Sequence, residues 1–308
     1  MAMTTPHYMK WLPGATTATL SRIELLARGI MEGFVAGRHH SPRKGISVEF
    51  AEHRQYTRGD DLRRMDWRIF ARKDRYYVKQ FIEETNMRVT VLLDVSGSMA
   101  YRGDLAAMRD NRRLSKLEYS QYIAAVLSYI LIGQQDAVGM ATFDNALCSF
   151  LPAKARPSQI RHILEVIDRS VPGKDTNLAP VLHEIAERIP RRGLVIILSD
   201  LFDNAEEILK ALHHFRFRRH EVILFHVMAE EEVNFPFESF TLFKDLESDQ
   251  HIPAAPKAIR AEYLDRMRTF LNTISKGCGN IDVDYVPVNT RIPFEKTLTD
   301  YLVRRRQS

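Results

Sequence analysis

A chain of 308 residues with 45% hydrophobic content is long enough to bury a core as one large domain or two smaller ones. Its net charge of +5 and pI of about 9.1 permit weak attraction to acidic partners, but basic and acidic residues are interleaved and no RNA-binding signature occurs, so nucleic acid is not demanded. Only Cys148 and Cys278 are present, which argues against a disulfide framework; the longest apolar run, Tyr122–Gly133, falls short of the ~20 residues of a membrane span, and the start lacks a secretory stretch, so the chain reads as cytoplasmic.

Leu20, Ile23, Leu26, Ile30 and Phe34 recur at helical spacing and predict a helix from Ala18 to about Val35. Gly37–Pro42 breaks that pattern, and residues 45–85 mix short β-like pieces with charge. From Arg88 the alternation is clean. Val89–Leu93 predicts a strand, Leu114–Ile132 a core helix apolar nearly all round, and Ala137–Phe143 a strand paired as a hairpin with Cys148–Leu151. Helices follow near Ser158–Ile167 and Leu178–Arg188, then a fully buried type of strand at Leu194–Leu198. A helix at Glu206–Phe215, a strand at Val222–Val227 and a helix striped by Tyr263, Met267, Phe270 and Ile274 come next. Pro287 assigns Val283–Val288 to a sheet edge, and Pro293 opens a last helix. The expectation is an α/β fold with a doubly wound, mostly parallel sheet over residues 86–308, preceded by an accessory region at 1–85.

Chemistry concentrates on three loops. Asp94-Val-Ser96-Gly-Ser98 leaves the first core strand, Gly173–Leu178 with Thr176 opens a helix, and Ser199-Asp200-Leu201-Phe202-Asp203 leaves the strand Leu194–Leu198. In such sheets, ligands sit beyond the carboxyl ends of the strands, where strand order reverses. Carboxylates and small hydroxyls on these loops suit a hard divalent ion, although Asp-x-Ser-x-Ser alone is equally an ordinary turn. Thr176 or Asn177 could equally be an N-cap, and Asp203 with Glu206 three residues on reads as a capping box. Arg58-Gly59-Asp60 and Arg102-Gly103-Asp104 read as turns, and the pairs His39-His40 and His213-His214 lack metal-site spacing. The group Asp60, Asp61, Arg63, Arg64, Asp66 and Arg68 reads as an ion-pair network anchoring Trp67 against the sheet.

Asp94-Val-Ser96-Gly-Ser98, then Thr176, then Asp200 resemble the metal-ion-dependent adhesion site of von Willebrand factor type A domains. Upstream, Arg54-Gln-Tyr56-Thr-Arg-Gly59-Asp60-Asp61-Leu-Arg63-Arg-Met-Asp66-Trp67, with Ala71-Arg72 and Glu83-Glu84, is similar to the signature of the bacterial family called domain of unknown function 58. That likeness extends over roughly residues 30–305 and includes Asp245-Leu-Glu247. The resemblance implies strand order 3-2-1-4-5-6 and Mg2+, with Mn2+ or Ca2+ as alternatives, held by Asp94, Ser96, Ser98, Thr176 and Asp200. It also implies an adaptor or co-chaperone of a MoxR-type AAA+ ATPase or its client. Leu201 departs from the adhesive relatives, which usually have Gly directly after the last acid.

The leading reading is therefore a non-enzymatic, metal-dependent protein-binding module. Neutral hydroxyl ligands leave the ion positive, with an exchangeable position that a partner's carboxylate would fill. Arg102, Arg109, Arg112 and Arg113 would steer that carboxylate. Two other readings stay open. One is a metal-dependent hydrolase using Asp94 and Asp200, with Asp203 a further candidate, although these motifs offer no His, Lys or Cys as an obvious base or nucleophile. The other is charge-driven nucleic-acid binding through Arg109, Arg112, Arg113, Lys116 and Arg216–Arg219.

Overall fold

The computed structural model describes residues 48–55, 65–67, 69–70, 76–83, 87–109, 112–173, 177–244, 246 and 251–306. The helix expected at Ala18–Val35 and most of the Arg54–Asp66 signature lie outside them. The chain divides into two compact units, one built on Met87–Ser308 and one on Glu32–Asn86.

In the smaller unit, β1 (Val48–Gln55) pairs antiparallel with β2 (Tyr77–Glu83), with a register irregularity between Phe50 and Glu52. Trp67 corrects an expectation here. It is 61% exposed rather than an anchor in a core, and it meets Phe70 edge to face at 6.3 Å, while Phe70 stacks on Tyr76 at 4.6 Å.

The larger unit carries a six-stranded sheet. Its strands are β3 (Arg88–Asp94), β6 (Ala137–Phe143), β7 (Leu147–Lys154), β8 (Leu194–Ser199), β9 (Glu221–Met228) and β12 (Asp284–Asn289). Small hairpins β4–β5 (Met108–Arg109, Arg112–Arg113) and β10–β11 (Thr241–Lys244, His251–Ala254) stand apart from it. Across the sheet the order is β12-β9-β8-β3-β6-β7, which counted along the chain is the expected 3-2-1-4-5-6. Every neighbouring pair is parallel except the β6–β7 hairpin. Pro287 does sit on the edge strand β12, whose one partner is β9.

The parallel strands are Val-, Ile- and Leu-rich because both faces are covered. Leu92, Val195, Ile197 and Leu224 point to one face, under α3 (Leu178–Arg188), α4 (Ala205–Phe217) and α6 (Pro256–Asn280), where Leu182, Ile208, Phe215 and Ile274 are fully buried. The other face carries α1 (Lys116–Gly133), α2 (Gln159–Arg169) and α7 (Phe294–Arg306). Helix α1 is buried almost all round, as its unbroken apolar composition requires, and its Tyr122 stacks on Phe294 of α7 at 5.1 Å. Among the described residues no helix is long and apolar enough to cross a membrane.

Strand β3 is hydrogen-bonded to β6 on one side and β8 on the other, so strand order reverses beside it. Asp94 ends β3 and Asp200 follows β8, and this topology brings the two acids together. After β9 the chain adds a short helix, α5 (Glu230–Asn234), and the β10–β11 hairpin, neither anticipated from sequence. Phe235, Phe237, Phe243 and Tyr263 pack ring against ring beneath that hairpin.

Candidate functional site

Asp94 is fully buried where β3 ends. Its Oδ1 accepts the Ser96 N–H at 2.9 Å, and its Oδ2 accepts the Ser199 hydroxyl at 2.6 Å. Burial first, and then the nearby Asp200 charge, raise its pKa to about 7 against the opposing hydrogen bonds from Ser199 and Ser96. The chain then turns through a 3-10 helix, Gly97–Ala100, which brings the Ser96 and Ser98 hydroxyls within 3.1 Å of each other.

Thr176 lies outside the described residues, yet both flanks of its loop are tied to the other two. The Gly173 N–H donates to the Val95 carbonyl at 2.6 Å. The Leu178 and Ala179 N–H groups, at the start of α3, donate to Asp203 Oδ2 at 3.0 and 3.4 Å. This corrects the capping box expected at Asp203. That acid caps α3, while Asn204 caps α4 by accepting from the Glu206 and Glu207 N–H groups. Asn177, the residue before α3, makes no side-chain cap.

Asp200 is buried and held by a residue the motifs did not include. Lys116, on the first turn of α1, donates to Asp200 Oδ2 at 2.7 Å and to Glu232 Oε1 at 2.5 Å. The lysine and Asp200 side chains are 2% and 3% exposed. Burial alone would lower the lysine pKa, but Asp200 and Glu232 outweigh it and push it up, so the ammonium keeps its proton. One signal was available in the sequence. A lysine directly after an N-cap serine sits at the positive end of a helix, an unfavourable place unless carboxylates face it.

Leu201 follows with φ of 54°, the left-handed region that favours glycine, and its side chain is fully buried. The departure from glycine at this position is thus a left-handed turn held by an apolar anchor. Behind the turn, His226 Nε2 donates to the Asp200 carbonyl at 3.0 Å and its Nδ1 accepts the Tyr285 hydroxyl at 2.8 Å. Burial lowers the His226 pKa to about 4, so the ring is neutral. Phe202, next along, is 69% exposed.

The arginines expected to steer a ligand are already engaged. Arg102 and Arg112 both bind Glu118, at 3.0 and 2.6 Å, and Arg113 binds Asp104 at 2.6 Å. Arg109 binds Glu295 at 3.0 Å and lies 4.6 Å from the centre of the Tyr122 ring. Arg102-Gly103-Asp104 is a packed turn. A Cβ on Gly103 would stand 2.1 Å from a Glu231 carboxylate oxygen, and the other Glu231 oxygen accepts the Leu105 N–H at 2.8 Å.

The structure thus brings Asp94, Ser96, Ser98 and Asp200 into one largely buried cluster at the carboxyl end of the sheet and adds Ser199, Lys116 and Glu232 around them. Among the described residues no three His, Cys, Asp or Glu side chains form a metal cluster. Any cation here would rest on hydroxyl and carboxylate oxygens, a donor set that fits a hard, oxygen-seeking ion and not a soft one.

Residues 52–270 match the family described as Protein of unknown function DUF58. The chain belongs to this family. An uncharacterized protein of Mycobacterium tuberculosis is 26% identical over 236 residues, 75% of this chain and 71% of the relative. Among solved structures, the conserved hypothetical protein BatB from Bacteroides thetaiotaomicron is 18% identical, covering 72% of this chain and 100% of its own, with a TM-score of 0.45. The VWA domain of SpRpn10 is 12% identical, covering 73% of this chain and 96% of its own, with a TM-score of 0.40. Scores of this size leave the strand order itself to carry the fold assignment.

Proposed function

We propose that this chain is a non-enzymatic protein-binding module that takes a divalent cation at the carboxyl end of its sheet and, with it, a carboxylate from another protein. The observation carrying this reading is the pair of Ser96 and Ser98 hydroxyls, 3.1 Å apart, on a loop whose own acid, Asp94, is buried and already hydrogen-bonded. Asp94, Ser96, Ser98, Thr176 and Asp200 would hold Mg2+, with Mn2+ and Ca2+ suited to the same oxygens. Bound there, the ion supplies a positive position that an oxygen from outside the chain completes.

Lys116 gives the site its balance. By neutralising Asp200 it lowers the negative charge facing the crevice, so an incoming carboxylate meets less repulsion. Exposed Phe202 offers apolar contact beside it. A MoxR-type AAA+ ATPase, or its client, is the partner we favour, with this chain as adaptor or co-chaperone. The reading puts the module in the cytoplasm, in keeping with its two free cysteines. Against a hydrolase stands the protonation of Lys116, which removes the obvious base. Against nucleic acid stands the engagement of Arg109, Arg112 and Arg113 by carboxylates.

Calorimetric Mg2+ titration and capture of a co-expressed MoxR-type ATPase test the proposal. Wild type should bind the ion and capture the ATPase, and Asp94→Ala or added chelator should abolish both. Capture indifferent to chelator would overturn it. Phosphoester turnover lost in Asp94→Ala would establish the hydrolase instead.

A further inference from the structure

The opposite end of the sheet has its own character. Strand β3 begins there at Arg88, β8 begins at Leu194 shortly after Arg191, β9 begins at Glu221 shortly after Arg219, and antiparallel β7 ends there at Lys154. Helices α3 and α4 also finish there, at Arg188 and near Arg218. Nearby acids are already engaged. Asp136 accepts the Met87 N–H, Glu184 holds Arg188, and Asp282 holds Arg216. Arg88 and Arg191 have no ion-pair partner among the described residues.

At the centre of this basic end is a cavity of about 160 Å3. Its walls are mostly apolar, from Phe150, Pro152, Ile189 and Leu194, and Arg88, Arg188 and Arg191 also line it. A cavity of about 150 Å3 holds a benzene ring in an engineered protein core, so this one accepts a leucine- or phenylalanine-sized group. Arginine, more than lysine, suits planar, two-pronged recognition of carboxylates.

We infer that the amino-terminal end of the sheet is a second docking surface, for an acidic segment of another protein that seats one bulky apolar side chain in the cavity while its carboxylates meet Arg88 and Arg191 and compete with Glu184 for Arg188. The apolar walls favour such a segment over a nucleic acid or a lipid surface, since both of those would engage the arginines and leave the cavity without a side chain to fill it. The surface is independent of the ion at the other end. A chain with both would bridge two proteins.

The test is fluorescence anisotropy in chelator, with a labelled heptapeptide of Glu and Asp around a central Leu and the same peptide with a central Ala. The Leu peptide should bind about 50-fold more tightly, the scale of burying the three additional carbons of its side chain. Arg191→Glu and Arg188→Glu should weaken both peptides, whereas Arg266→Glu, 79% exposed on α6, should not. Ala153→Leu, which fills the cavity from the edge strand, should erase the difference between the peptides. Thermal melts establish that each variant is folded. Asp94→Ala should bind both peptides as wild type does, which separates this surface from the ion-dependent one. Equal affinity of the two peptides would overturn the inference. So would arginine-dependent binding of oligothymidylate or of phosphatidylserine vesicles with no peptide binding.

Discussion

At the carboxyl ends of its strands the sheet gathers buried Asp94 and Asp200, and Lys116 binds Asp200 together with partly exposed Glu232. At the amino ends, Arg188, Arg191, Arg218 and Arg219 stand in solvent around a mostly apolar cavity. The same kinds of charge have opposite standing at the two ends. A buried charge must be matched locally or the fold loses stability, whereas an exposed one is screened by water and costs little to change. Changing a charge should therefore cost more at the carboxyl end than at the amino end.

Lys116 is where this contrast is largest. Lys116→Met leaves Asp200 and Glu232 without their cation and should destabilise the fold by about 3–5 kcal/mol in chemical denaturation. Adding Asp200→Asn should recover part of the loss. Simple additivity of the two losses would show that the pair does not act as a unit. At the other end Arg191→Glu should stay within about 0.5 kcal/mol of wild type. A large effect there would erase the distinction.

Acidity sharpens the comparison. Burial raises the Asp136 pKa from 3.8 to about 7, against a hydrogen bond from the Met87 N–H. Between those values the folded chain binds more protons than the unfolded one, so stability falls as pH rises from about 4 to about 7 and levels off above that. Each such group contributes a slope of at most about 1.4 kcal/mol per pH unit. Asp94 adds a similar fall at the opposite end of the sheet. Denaturation curves across that pH range should flatten in Asp136→Asn, and Mg2+ should leave the Asp136 share untouched. An unchanged slope in the variant would remove Asp136 from the account.

Asp203→Ala removes the cap of α3 and should cost about 1 kcal/mol, while weakening Mg2+ binding because the Thr176 loop leads into that helix. Wild-type Mg2+ affinity in this variant would separate the cap from the site. The smallest effect belongs to Trp67→Ala. With its ring 61% exposed, the melting curve should move by less than about 0.5 kcal/mol, and a shift of several would return Trp67 to a core.

What sequence revealed followed the range over which its patterns operate. Val89–Leu93, Leu194–Leu198 and Pro287 declare their places in the sheet through composition within a few residues, and Asp94, Ser96, Ser98 and Asp200 follow from where those strands end. Lys116 has no local pattern that names its partners, 84 and 116 residues away. Asp203 offered a plausible local cap partner in Glu206, yet it serves a helix 25 residues earlier. Helix α5 is too short to show a period, and the hairpin after it is held by aromatic rings contributed in part by α6. Arg102, Arg109 and Arg112 looked free because their acids, Glu118 and Glu295, belong to helices read as core and terminus.

Lys116 also has a consequence for the order in which the molecule is made. It joins the first turn of α1 to the end of β8 and to α5, and the ribosome delivers those segments in that sequence. A nascent chain that has emerged only as far as Asp203 holds the lysine and Asp200 but not Glu232. Its crevice lacks the second carboxylate that fixes the ammonium, and the wall that Glu231 builds behind Gly103 is missing as well. Completion of this cluster therefore waits for the translation of α5, and a partner of the kind proposed would meet it only on chains whose sheet has grown to β9.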